Sequence, residues 1–174
     1  MERSLKSRAL QLLAQRDQSR LELRRKLVRH SRALAAGRVE LDHDDAAPGP
    51  ALAEVDALLD WLEANRFLSD ERFAEARVHA RQARFGVMRI KSELAQHALS
   101  LSPEMAQSLA ASELERAAEV RARRFARLPA DAAERAAQTR FLLGRGFSPE
   151  LVQRLMRGLA RPDRGAADSA DSSR

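Results

Sequence analysis

Cysteine is absent from the 174-residue sequence, which excludes a disulfide scaffold, a thiolate metal centre and a cysteine nucleophile. Tyrosine is absent too, and six phenylalanines with one tryptophan make up the whole aromatic complement. β-Branched residues are as scarce, at seven Val, one Ile and one Thr. Strands are built from these types, so a substantial sheet is excluded. No apolar run approaches the ~18 residues of a membrane span, and Met1-Glu2-Arg3 opens nothing like a signal peptide. A cytoplasmic protein is therefore expected. What the sequence has in quantity is alanine, 33 residues of it, with leucine, arginine and glutamate. These lose little side-chain entropy in a helix. An all-α protein is expected.

Lysine is nearly missing as well: only Lys6, Lys26 and Lys91 among 31 basic residues, the rest being arginine. The planar guanidinium grips phosphate and carboxylate bidentately, although joint Ala and Arg enrichment also accompanies a GC-rich genome. The net charge of +6 is unevenly placed. Residues 1–34 carry ten basic and three acidic groups, residues 35–70 two and nine, and residues 71–160 sixteen and ten. Two basic blocks flanking an acidic one suit a polyanionic partner along part of the surface.

Local punctuation places the helices. Leu5, Ala9, Leu12 and Leu13 share a face, as do Val55, Leu58, Leu59 and Leu62. Ser19-Arg20-Leu21-Glu22 fits a capping box ahead of Leu23 and Leu27. Residues 35–51, rich in Gly, Pro and Asp, read as a long flexible loop. Further helix starts fall at Asp70 and around Val87. Ser102-Pro103-Glu104-Met105-Ala106-Gln107-Ser108-Leu109-Ala110 repeats as Ser148-Pro149-Glu150-Leu151-Val152-Gln153-Arg154-Leu155-Met156, 46 residues on, and Leu101 and Phe147 precede the two caps. Ser as cap, Pro in the first turn and Glu at the positive end of the dipole all favour a helix start there. A shift of 71 residues aligns Glu22-Leu23 with Glu93-Leu94. The sequence thus parses into three units of three helices: 1–67 with an insertion at 35–51, 68–110, and 111–160. Units this small bury too little surface alone, so neighbouring repeats are expected to stack and share a core. Residues 161–174, mostly Ser, Asp, Ala, Gly and Arg, are expected to be disordered.

Catalytic signatures are wanting. The four histidines share no metal-ligand or catalytic spacing, and Asp42-His43-Asp44-Asp45 has no second ligand cluster. Gly144-Arg145-Gly146 reads as a helix stop rather than a phosphate loop. No enzymatic activity, cofactor or metal is expected. Arginine stripes remain: Arg77, Arg81 and Arg84 on one helix face, Arg89 and Lys91 at the next helix start, Arg116, Arg123 and Arg127, and Arg24, Arg25 and Arg29. Such stripes are candidate phosphate contacts without base readout, and so few aromatics speak against a dedicated single-strand binder.

Several runs resemble the RecX family, modulators of the RecA recombinase. They are Ser19-x-x-Glu22-Leu23-x-x-Lys26-Leu27; Phe67-Leu68-Ser69-Asp70-Glu71-Arg72-Phe73-Ala74 with Arg81, Gly86, Arg89-Ile90 and Glu93-Leu94; and Arg140-Phe141-Leu142, Arg145-Gly146-Phe147-Ser148 and Leu151-Val152. The resemblance spans about residues 4–158. It implies an elongated, curved array of tandem three-helix repeats, a RecA–single-stranded DNA filament bound along its groove, and inhibition of strand exchange, ATPase and coprotease activities by a protein that is not an enzyme; a monomer is expected. Two departures stand out: the insertion at 35–51, and Ala98-Leu99 where the family has Gly before an apolar residue. On this reading Arg77, Arg81, Arg84, Arg89, Lys91, Arg116, Arg123, Arg24 and Arg25 face the filament or its DNA. The alternatives are direct DNA binding by helix-turn-helix-like units, disfavoured because no helix start gathers Asn, Gln and Arg for base edges, and a helical scaffold for an unrelated protein.

Overall fold

The computed structural model describes residues 4–39 and 49–159, with side chains described over 4–34 and 52–159. Those residues form nine helices and no strand: α1 (Leu5–Gln15), α2 (Arg20–Val39), α3 (Gly49–Ala64), α4 (Asp70–Gln82), α5 (Val87–Ala95), α6 (Pro103–Ala111), α7 (Glu113–Arg124), α8 (Ala132–Gly144) and α9 (Pro149–Leu159). The protein is all-α, as its composition requires. No described helix is long and apolar enough to cross a membrane.

Both ends of the segment expected as a loop, 35–51, are helical. Helix α2 continues through Gly37 to Val39, and α3 opens at Gly49. The run Ala33-Leu34-Ala35-Ala36 favours helix strongly enough to carry one glycine. Pro50 sits in the first turn of α3, where its missing amide costs nothing. Residues 40–48, with the acidic run Asp42-His43-Asp44-Asp45, and the tail from Ala160 lie outside the described residues.

The helices open as their sequences dictate. The hydroxyls of Ser69, Ser102 and Ser148 accept from the amides of Arg72, Met105 and Leu151 at 3.1, 3.2 and 3.3 Å. At α2 the capping box is only half formed. The Ser19 hydroxyl accepts from the Glu22 amide at 3.1 Å, but the Glu22 carboxylate is engaged by Arg16 and by Lys26 at 2.8 Å. Cations on either side outcompete a neutral amide for that carboxylate.

Three helices end alike. After α3, α5 and α8 the chain turns through a left-handed residue, Arg66 (φ 60°), Ala98 (φ 59°) and Gly146 (φ 83°). In each, the following amide (Phe67, Leu99, Phe147) reaches back to the carbonyl of Leu62, Leu94 or Leu142, at 2.9, 3.0 and 3.3 Å. The left-handed residue itself donates to Glu63, Ala95 or Leu143 at 2.9 Å each. These are Schellman caps. The turn at Ala98-Leu99 therefore keeps the glycine-type conformation without glycine.

The chain packs into two compact bodies that cut across the middle helices. The first comprises Met1–Val78 with Glu93–Ser100, the second His79–Ser92 with Leu101 onward. In the first, Ala9 and Leu12 of α1, Leu23 and Leu27 of α2, and Val55, Leu59 and Leu62 of α3 form the core. Each fully buried leucine contributes roughly 1.5–3 kcal/mol. Charge reinforces the packing of α2 on α3: Arg24 grips Asp56 at 2.6 and 2.9 Å, and Arg20 reaches Asp60 at 2.6 Å and Glu63 at 2.5 Å. The core of the second body gathers Ala117 and Val120, Leu142, Phe147, and Val152, Leu155 and Met156.

Candidate nucleic-acid interface

The second body turns on two glycines. The Gly86 amide donates to the Arg145 carbonyl at 3.0 Å, and the Met88 amide to the Gly146 carbonyl at 3.1 Å. The backbones lie so close that a Cβ on Gly86 would stand 2.2 Å from the Gly146 carbonyl oxygen. Glu113, buried at the start of α7, accepts from the Val87 amide at 2.8 Å. Helix α5 is thereby capped from elsewhere in the chain, and a carboxylate meets the positive end of its dipole.

This junction gathers arginines around one ring. The guanidinium carbons of Arg81, Arg84, Arg89 and Arg145 lie 5.6, 5.7, 5.0 and 5.4 Å from the Phe85 centroid. Arg145 also lies 5.1 Å from the Phe141 centroid, and Phe141 meets Phe125 edge-on at 5.4 Å, with Arg124 at 5.3 Å from Phe125. Three of the six phenylalanines thus interleave with five arginines. Beside them a groove of about 310 Å³ has Ala83, Val120 and Phe141 as its apolar lining and Arg84, Arg123, Arg124 and Arg145 as its charged one. Arg123 is held there by Glu119 at 3.0 Å.

The arginines expected to form one functional surface have unlike roles. Arg81, Arg84, Arg89 and Arg123 belong to this cluster, and Lys91 is exposed on α5. Arg77 is half-buried in the first body. Its Nη2 lies 3.4 Å from His97 Nε2, and its Nε is buried without a partner. Arg116 is drawn into the fold: it donates to the carbonyls of Gln82, Phe85 and Leu109 at 2.7, 3.1 and 2.9 Å. Burial lowers its pKa, opposed by the charge of Glu113, but an arginine stays charged all the same. Arg24 is committed to Asp56, which raises its pKa, while Arg25 is exposed beside a groove shared with Arg29 and Arg32. Arg127 pairs with Glu134 at 2.5 Å. Helical spacing does not bring out Phe85, Arg124 and Arg145, because they come from the turn after α4, the end of α7 and the turn after α8. Among the described residues no group of three His, Cys, Asp or Glu side chains is placed to hold a metal ion.

Residues 69–100 match the family model for the second three-helix domain of RecX, and residues 111–156 the model for the third. The regulatory protein RecX of Ralstonia nicotianae is 45% identical over 157 residues, spanning 89% of this chain and 87% of that protein. The chain belongs to the RecX family. A RecX from Herbaspirillum seropedicae is 47% identical over 86% of this chain and 87% of its own length. The crystal structure of RecX from Lactobacillus salivarius shares the fold, with a TM-score of 0.61, at 18% identity over 89% of this chain and 94% of that one. The ring of guanidinium groups at Phe85 joins the two matched RecX segments: Arg81, Arg84 and Arg89 fall in the second domain's match and Arg145 in the third's.

Proposed function

We propose that this RecX-family chain binds the RecA–single-stranded DNA filament along its groove and restrains the recombinase, ATPase and coprotease activities of RecA. The observation that carries the reading is the convergence of Arg81, Arg84, Arg89 and Arg145 on Phe85, with Arg123 and Arg124 alongside. A filament groove presents DNA phosphate and protein carboxylate together, and guanidinium groups serve both. The chain acts as a monomer made of three consecutive three-helix units, without catalysis of its own.

The test is RecA-dependent ATP hydrolysis on single-stranded DNA, titrated with the chain at sub-stoichiometric and equimolar ratios. Progressive inhibition is expected. Unchanged hydrolysis at equimolar protein would overturn the reading. If the chain instead bound naked duplex tightly, with a steep salt dependence, direct DNA binding would take its place.

A further inference from the structure

We infer that the groove beside Phe85 is a binding site for one nucleoside phosphate unit, its base against Ala83, Val120 and Phe141 and its phosphates on Arg84, Arg124 and Arg145. This deepens the reading above and rests on it for its setting. The chemistry of the lining selects the ligand. Guanidinium groups alone would suit any polyanion, an acidic peptide included. The apolar patch between them adds a requirement, because a carboxylate side chain leaves it uncovered whereas a flat heterocycle joined to phosphate covers patch and cations together. About 310 Å³ stands at the low end of ligand clefts, roughly 300–1,000 Å³, which suits a single unit rather than a long ligand.

Charge supports the same ligand. Gathering Arg84, Arg124 and Arg145 around one groove sets like charges side by side, and the ring faces of Phe85, Phe125 and Phe141 relieve that repulsion only in part. Arg123, which also lines the groove, is bound to Glu119. A phosphate neutralises what the fold leaves exposed. The unit can come from a DNA single strand or from a free nucleotide.

Two variants separate a built groove from a merely basic surface. The double variant Arg84→Ala, Arg124→Ala takes two guanidinium groups away from the phosphates. Ala83→Leu fills the groove and leaves every charge in place, and Ala83 is exposed, so the fold keeps it, as circular dichroism will check. Binding is read by fluorescence anisotropy of a labelled oligothymidylate without RecA. The double variant is expected to bind about tenfold more weakly, with the log–log salt slope reduced by roughly 0.7 for the one phosphate no longer neutralised. Ala83→Leu is expected to bind at least about fivefold more weakly, the low end of what stacking one base is worth, with the slope unchanged. Displacement of the strand by millimolar thymidine monophosphate from the parent but not from Ala83→Leu assigns the site to free nucleotide as well; no displacement, with Ala83→Leu still weak, assigns it to the strand. Parental affinity in Ala83→Leu, or in the double variant, overturns the inference. Loss of RecA ATPase inhibition with strand binding intact overturns the filament reading alone.

Discussion

Arg66 and Ala98 hold left-handed backbone that L-residues resist, while the equivalent position after α8 is glycine. The left-handed conformation costs an L-residue roughly 1–2 kcal/mol, partly offset by the flexibility glycine adds to the unfolded chain. Ala98→Gly and Arg66→Gly are each expected to stabilise the protein by about 0.5–1 kcal/mol, read as a raised thermal midpoint. His97 makes a second prediction. It lies 2.8 Å from the buried Ser19 hydroxyl through Nδ1 and beside Arg77, and burial, with Arg77 next, lowers its pKa. The unfolded chain therefore takes up the proton first as pH falls. Stability attached to the neutral imidazole is complete above about pH 6.5 and drains away below it, down through the lowered folded value. Urea unfolding between pH 7.5 and 5.5 is expected to show this loss in the parent and a flatter profile in His97→Asn.

Between elements, the contact of Gly86 with Gly146 decides which side chains meet. Gly86→Ala sets a methyl group against backbone that has no side chain to swing aside, and it is expected to cost about 3 kcal/mol in urea unfolding. Gly144→Ala and Gly158→Ala, with nothing within 4 Å of the added carbon, are expected to be neutral or to gain up to about 0.5–1 kcal/mol. Arg116→Met leaves the carbonyls of Gln82, Phe85 and Leu109 without their charged donor and should destabilise by roughly 2–3 kcal/mol on the same measurement. The starts of α4, α6 and α9 could be read from Asp70, Ser102 and Ser148 because capping is local chemistry, whereas α5, whose start is expected around Val87, takes its cap from the distant Glu113. Helical spacing is also local, but it cannot tell an arginine in solvent from one folded inward, which is why Arg77 and Arg116 looked like Arg84. Nor could it bring Arg145 to Phe85 across 60 residues of sequence, since that meeting depends on a backbone contact between two turns.

On the scale of the whole molecule, the alternating charge blocks have different fates. Part of the first basic block is matched internally, with Arg20 and Arg24 on α2 bound to Asp56, Asp60 and Glu63 on α3. In the second body Arg81, Arg84, Arg89 and Arg145 meet at Phe85. The matched RecX segments, 69–100 and 111–156, carry fifteen basic and ten acidic groups, and the filament binding proposed above is expected to weaken with salt when RecA ATPase inhibition is titrated at rising ionic strength. The tie between the two glycine turns also offers a way to watch the arginines from a distance. The amides of Gly86 and Met88 donate across the junction rather than along a helix. Their deuterium uptake therefore reports whether the two turns have parted. If the cluster works only while that tie is closed, these two protons will exchange no faster than the core amides of α8, and any ligand that seats in the groove will slow them further.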